Sequence, residues 1–170
     1  PVPNKNQCKE CHSLSDAVMP IGPKKRNLDL DAVNRLFEAG LLTEDDLGPG
    51  PIMPDYARNN TPINDRARAY LDINCAHCHN RKGSASNSGL FLTYDEKTPV
   101  HVGVGKRPTA AGRGSGGLDF AIAPGEPEKS IMIYRMKSTD PGIAMPEVGR
   151  SVAHDEGVEL LSEWISSLDK

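Results

Sequence analysis

Four cysteines and two histidines form two identical patterns, and these residues carry the clearest chemistry in the sequence. Each pattern is Cys-x-x-Cys-His. The first consists of Cys8, Cys11 and His12, and the second of Cys75, Cys78 and His79. In this spacing two thiols can bond to the vinyl groups of one haem while the following histidine becomes the proximal iron ligand. The sequence therefore predicts two covalently attached haem c groups.

Other uses of paired cysteines fit these patterns less well. Two disulfides would suit an exported protein, but they would not need a histidine after each pair. A thioredoxin-like redox pair favours a strand-to-helix setting. A zinc site would bring the two pairs closer together in sequence and would have no preference for that histidine. Since both pairs are followed by histidine and together use all four cysteines, haem attachment is favoured.

The composition fits a chain that needs help to fill its interior. Of 170 residues, 37% are hydrophobic and 5% aromatic, and the chain holds 16 glycines and 14 prolines. We therefore expect long loops, with the two haems supplying part of the apolar interior. The net charge of -3 implies no basic face for a nucleic-acid partner. Because no apolar run approaches the length of a membrane span, we expect none.

Helical patterns occupy four segments, namely residues 31–40, 61–73, 126–136 and 154–168. The last segment should pack on the helix that leads into Cys75, with Trp164 at their interface. Residues 83–125 are rich in glycine and serine and predict an elaborated loop. Strand-like fragments within it allow a small β-hairpin in residues 90–104.

The motifs and their surroundings resemble class I c-type cytochromes, in which a helix precedes the haem motif, a Gly-Pro step follows it and a Met-Pro loop reaches the iron. The longest resemblance, to cytochrome modules of secreted bacterial proteins, runs from about Arg66 to Leu168. It rests on Arg-Ala-Tyr-Leu-Asp-Ile-Asn-Cys-Ala-His-Cys-His, Ala-Pro-Gly-Glu-Pro-Glu-Lys-Ser and Ala-Met-Pro. The resemblance implies that Met145 is the distal ligand of the second haem. It also implies that the Pro23 carbonyl accepts a hydrogen bond from Nδ1 of His12.

The distal ligand of the first haem has two candidates, because Met19 and Met53 both precede a proline. Met19 follows His12 so closely that its loop would have to cross from one haem face to the other in a few residues. We therefore favour Met53, which makes the expected axial pairs His12 with Met53 and His79 with Met145. His101 and His154 remain alternatives for bis-histidine ligation.

These expectations define a mainly α protein with two cytochrome c-like haem units and long Gly/Pro-rich loops. A smaller unit would span residues 1–60 and a larger one residues 61–170. The resemblance implies single-electron transfer between redox protein partners, in the periplasm or outside the cell, with the signal peptide absent from this chain. An electron-transfer protein is favoured over an enzyme. The alternatives are a dihaem peroxidase or oxidase with one open haem, and the electron-accepting domain of a larger dehydrogenase.

Overall fold

A computed structural model describes residues 3–15, 17–22, 24–43, 52–109 and 111–169. Within these ranges lie six α-helices: α1 Lys5–His12, α2 Leu30–Glu38, α3 Ile63–Asn74, α4 Pro99–Val102, α5 Ile131–Lys137 and α6 Asp155–Ser166. A hairpin of two short antiparallel strands, β1 Ser13–Leu14 and β2 Ala17–Val18, follows α1. The predicted mainly α fold class is therefore confirmed. No helix in the described ranges is long and apolar enough to cross a membrane.

The first helix is fixed at its start by a reciprocal cap. The Asn4 side chain accepts from the backbone N–H groups of Asn6 and Gln7, at 3.0 Å each, and the Gln7 side chain accepts from the Asn4 backbone N–H at 3.0 Å. Such a capping box satisfies donors that a helix otherwise leaves unpaired. The chain turns into the hairpin immediately after His12, with Ser15 at a φ of +50°. This capped helix carries the first cysteine pair.

The core lies where α3 and α5 pack on α6. Leu71 of α3 and Leu161 and Ile165 of α6 are fully buried. Trp164 is also buried, and its indole Nε1 donates to Oδ1 of Asn64 on α3 at 3.2 Å. The predicted packing of the last helix against the helix before Cys75, with Trp164 between them, is confirmed. The core thus holds the start of the second motif.

The segment 126–136 is broken where a continuous helix was predicted. A 3-10 turn, Pro127–Lys129, precedes α5, and Ser130 between them is extended. Ser130 is fully buried, and its hydroxyl donates to the Glu126 carbonyl at 3.1 Å and accepts from the Ala123 N–H at 2.9 Å. A serine side chain that bonds nearby backbone in this way competes with helical hydrogen bonds.

The allowed β-hairpin in residues 90–104 is not formed. These residues contain α4, and Pro99 occupies its first turn. Proline favours that position because its fixed φ suits a helix and its missing N–H would be unpaired there anyway. Val104 makes only an isolated parallel bridge to Ile122. The hairpin of this fold is instead β1–β2, next to the first motif.

Contacts cross the predicted boundary near residue 60, which stays a prediction. Arg26 Nη1 lies 3.1 Å from Oδ2 of Asp72 on α3, and Asp72 is only 2% exposed. The same carboxylate oxygen accepts from the Tyr94 N–H at 2.8 Å. Arg66 Nε also donates to the Tyr56 carbonyl at 2.8 Å. These bonds fix the N-terminal segment against α3.

Candidate functional site

The second motif is a tight turn formed where α3 ends. The backbone N–H of Cys75 still donates to the Leu71 carbonyl at 3.0 Å, and the N–H groups of Cys78 and His79 donate back to the Cys75 carbonyl at 3.2 and 2.9 Å. A Cβ atom on Gly83 would overlap the Cys78 carbonyl, so the chain that leaves the turn can pass it only as glycine. The helix and turn together place both thiols and His79 on one compact loop.

His79 faces a mainly apolar cavity of about 320 Å³, which we call the His79 cavity. Its apolar wall includes Leu71, Leu90, Leu92, Ala121, Ile131, Met132 and Met136. Cys75 and Met145 line the same cavity, so a thiol, the histidine and the methionine of the predicted second site lie together. The described cations on its wall are Lys106, Arg107, Arg135 and Arg150. Such cations suit carboxylates at the rim of an apolar ligand.

One hydrogen bond sets the orientation of the His79 ring. Its Nδ1 lies 3.3 Å from the Ser88 hydroxyl, which donates its own hydrogen to the Ala85 carbonyl at 2.6 Å. The hydroxyl oxygen therefore accepts from Nδ1–H, which leaves Nε2 unprotonated and able to bind a metal. Burial, together with the charge of Arg135 and then of His77, lowers the pKa of His79 to about 4. The ring is therefore neutral at pH 7, the form that ligates iron.

Two arginines hold the loop that carries Met145. Arg135 on α5 donates from Nε to the Ile143 carbonyl at 2.8 Å, and its own carbonyl accepts from the Met145 N–H at 3.2 Å. Arg150 donates to the carbonyls of Arg135 and Val152, at 3.2 Å each, and to that of Ser138. The Met145–Pro146 peptide bond is cis. The loop is thus bonded through its backbone to the end of α5.

The first motif lies at the end of α1 and is more open. Cys8 and His12 are exposed, and Cys11 is half-buried. Nδ1 of His12 lies 3.2 Å from the Met19 carbonyl, and the Met19 N–H donates back to the His12 carbonyl at 2.7 Å. The hairpin therefore supplies an acceptor that orients the His12 ring. Pro23, to which the resemblance gave that role, lies outside the described residues.

A second cavity, of about 540 Å³, adjoins His12 and is called the His12 cavity. Cys11, Met19 and Lys24 line it from the N-terminal segment. The rest of its wall comes from the other half of the chain and includes Ala76, His77, Asn80, Arg81, Phe91, Thr93 and Glu96. The first site therefore crosses the predicted boundary between the two units.

Met53, the predicted distal ligand of the first haem, does not line this cavity. It is 6% exposed, and its N–H donates to the Arg26 carbonyl at 2.9 Å. Met19 does line the cavity, but its backbone is bonded to His12 itself. The structure thus brings His79 and Met145 to one cavity, whereas Met53 does not line the cavity of His12. The Met53 ligand stays a prediction from chain reach.

The two motifs meet through their second cysteines. Sγ of Cys78 lies 3.7 Å from Sγ of Cys11 and 3.5 Å from the Glu10 carbonyl. A nitrogen of His77 lies within 4.8 Å of both sulfurs. Burial, followed by the neighbouring Cys78, raises the pKa of Cys11 to about 12, and burial raises that of Cys75 to about 12. The described cysteines are all free, and 3.7 Å is far longer than a disulfide bond.

Sequence reasoning missed several residues of these sites. Ser88 could not be told apart from the other serines of the Gly/Ser-rich segment, and Arg150 belongs to no recognised sequence motif. His154, an alternative iron ligand in the sequence, precedes α6, and its Nδ1 lies 2.9 Å from the Tyr70 hydroxyl at the edge of the His79 cavity.

The residues around His79 fit a covalently bound haem, because a neutral oriented imidazole, a thiol and a thioether share one apolar cavity with cations on its wall. Around His12, the thiol of Cys11 and the oriented imidazole also fit a haem. Met53, however, does not line the cavity on this side. Comparison of the chain with protein-family models, with curated proteins and with solved structures finds no match.

Proposed function

We propose that this chain is a dihaem c-type cytochrome that carries single electrons between redox proteins in the periplasm or outside the cell. The observation that supports it most is the His79 cavity, where Cys75, His79 and Met145 come together from separate segments of the chain. Motif spacing alone does not require Met145, 66 positions after His79 in sequence, to line that cavity. A haem bound there would supply the one-electron chemistry, while the chain sets its potential.

The chain's own residues would perform five tasks for that haem. Cys75 and Cys78 would hold it covalently, and His79 would ligate the iron through Nε2. Ser88 accepts from Nδ1 of His79 and keeps the ring basic. Met145 would supply a soft thioether, which would favour the reduced iron and raise the potential relative to an anionic ligand. The apolar wall excludes water from the metal.

At the first motif, Cys8 and Cys11 would hold the haem and His12 would be its proximal ligand, with the Met19 carbonyl accepting from Nδ1 of His12. The same covalent pattern appears, but the site is exposed and is walled by residues from both halves of the chain. This haem is the one that redox partners would reach.

A second candidate function rests on the placement of Met53. Because Met53 does not line the His12 cavity and the backbone of Met19 is bonded to His12 itself, the first haem would keep an open position, as in a dihaem peroxidase or oxidase. Carbon monoxide separates the two functions: rapid binding to the reduced protein at one haem supports the enzyme, and the absence of binding supports the electron carrier.

The test of the proposal is haem content. The full chain, exported in a host with haem attachment machinery, should give a c-type pyridine haemochrome spectrum and an intact mass increased by two haems. Substituting both cysteines of one motif, Cys8→Ser with Cys11→Ser or Cys75→Ser with Cys78→Ser, should remove one haem each. A chain that is exported, folded and free of covalent haem would refute the proposal.

A further inference from the structure

The cluster formed by Cys11, His77 and Cys78 has a geometry of its own, apart from haem attachment. Their ligand atoms all lie within 4.8 Å of one another, and the two sulfurs are 3.7 Å apart. The cluster takes one cysteine from each motif, so it exists only because the fold brings α1 against the turn after α3. We call it the inter-motif cluster.

The distance between the two sulfurs matches that of two thiolates on one metal ion better than that of a disulfide. A disulfide requires about 2.04 Å between the sulfurs. Two thiolates on one tetrahedral zinc ion, with Zn–S bonds of about 2.3 Å, lie about 3.8 Å apart. The observed 3.7 Å between the sulfurs of Cys11 and Cys78 agrees with the sulfur-to-sulfur distance of such a zinc site. The thiols therefore need little movement to share one ion.

His77 supplies an independent observation. Its Nδ1 is buried and has no hydrogen-bond partner of good geometry among the described residues; the Ile73 carbonyl is the backbone acceptor that acts on its pKa. A buried ring nitrogen without a well-placed partner costs free energy unless something binds it. Neutral imidazole beside two thiols is a common zinc ligand set.

We propose that the chain, before haem is attached, binds one Zn²⁺ ion at the inter-motif cluster through Cys11, His77 and Cys78, with the fourth position left to water. Binding converts two thiols to thiolates, so that Zn²⁺ enters and two protons leave. The inference goes beyond the proposed function, because it concerns the chain without haem.

The site has a consequence for haem attachment. Each motif needs its second cysteine for a thioether bond, and one zinc ion would occupy both of those sulfurs at once. Zinc and a full set of haem bonds are therefore mutually exclusive. The zinc-loaded chain should accept haem at neither motif until the metal is removed.

The test uses the full chain produced without haem, with its thiols reduced, and zinc chloride as the probe. Competition with a chromophoric chelator should show one tight site, and Co²⁺ in its place should give the absorption of a tetrahedral thiolate complex. Cys11→Ser and Cys78→Ser should each weaken binding by at least about 100-fold, since even outer partners of a metal cost 10–100-fold. His77→Gln should weaken it by at least about 10-fold.

Matched controls come from the same motifs. Cys8→Ser and Cys75→Ser remove the other cysteine of each pair, and His101→Gln removes a histidine outside the cluster. Each should leave the zinc affinity within about threefold of that of the unmodified chain, which corresponds to less than about 1 kcal/mol of binding free energy. If Cys8→Ser or Cys75→Ser weakens binding as much as Cys11→Ser, the metal is held by the motif pairs and the proposal is wrong. Absence of zinc binding also overturns it.

A measurement on the unmodified chain covers variants that fail to fold. With zinc bound, alkylation followed by peptide mass spectrometry should find Cys11 and Cys78 protected while Cys8 and Cys75 react. Equal protection of the four thiols overturns the cluster. Haem content is measured on a separate preparation, so the two proposals fail separately: two haems without zinc binding refute only this one, and zinc binding without haem refutes only the cytochrome.

Discussion

The buried carboxylate of Asp72 should be the strongest single link between the N-terminal segment and α3. It is 2% exposed and accepts from Arg26 at 3.1 Å and from the Tyr94 N–H at 2.8 Å. Asp72→Asn keeps an acceptor for Tyr94 but loses one charge-assisted bond, which corresponds to about 2 kcal/mol. Arg26→Met leaves the buried carboxylate unpaired, which should cost more, about 3 kcal/mol.

Asp95 gives a matched control because it pairs with the same guanidinium. It lies 3.5 Å from Arg26, but it is 69% exposed. An exposed pair contributes about 0.5 kcal/mol or less. Asp95→Asn should therefore leave the free energy of unfolding almost unchanged, although it removes the same charge as Asp72→Asn.

The measurement is the free energy of unfolding from guanidinium titrations followed by far-ultraviolet circular dichroism, which is independent of haem absorption. The double variant of Asp72→Asn with Arg26→Met should cost about 1 to 2 kcal/mol less than the sum of the single variants, because neither can lose the pair twice. Equal effects of Asp72→Asn and Asp95→Asn, or a strictly additive cycle, would refute the idea that burial makes this link strong.

Three further changes test separate parts of the structure. Gly157→Ala on α6 places a Cβ on the Tyr70 hydroxyl, so it should cost about 1 to 3 kcal/mol in the same titrations; an unchanged midpoint would contradict this close packing. Ser88→Ala removes the acceptor of His79, which makes the imidazole less basic and should raise the midpoint potential of that haem in spectroelectrochemical titration; an unmoved potential would contradict the assigned ring orientation. The pKa of Glu96 is lowered to about 2, first by the Thr98 N–H, so its stabilising contribution is present above about pH 4.5 and lost as the pH falls towards 2; Glu96→Gln should flatten that part of the stability profile, and a parallel profile would contradict it.

The sequence predicted the local features that depend on neighbouring residues. The helix that enters the second motif and the last helix follow apolar spacing, and their packing through Trp164 follows from the faces they present. The hairpin in residues 90–104 failed for an equally local reason, since Pro99 starts a helix there. The β-propensity of the neighbouring valines did not outweigh the preference of that proline for the first turn of a helix.

What could not be predicted depends on distance along the chain. Ser88 is one of three serines in a short stretch, and only the turn after α3 brings its hydroxyl to His79. Arg26 and Asp72 are 46 positions apart, and Cys11 and Cys78 are 67 apart. No spacing rule joins such pairs, because they meet only after α1 and the segment before α2 fold against α3.

The two motifs are equal in sequence and unequal in structure. The described residues that line the His79 cavity all come from position 70 or later, so the larger half contains its own site. The His12 cavity takes Ala76 and Phe91 from that half, so the first site cannot be completed by residues 1–60 alone. The first motif is therefore an addition to the second, and not a parallel copy of it. Because His12 is exposed and His79 is buried, a redox partner of the proposed cytochrome would meet the first haem, and the second would be the enclosed one.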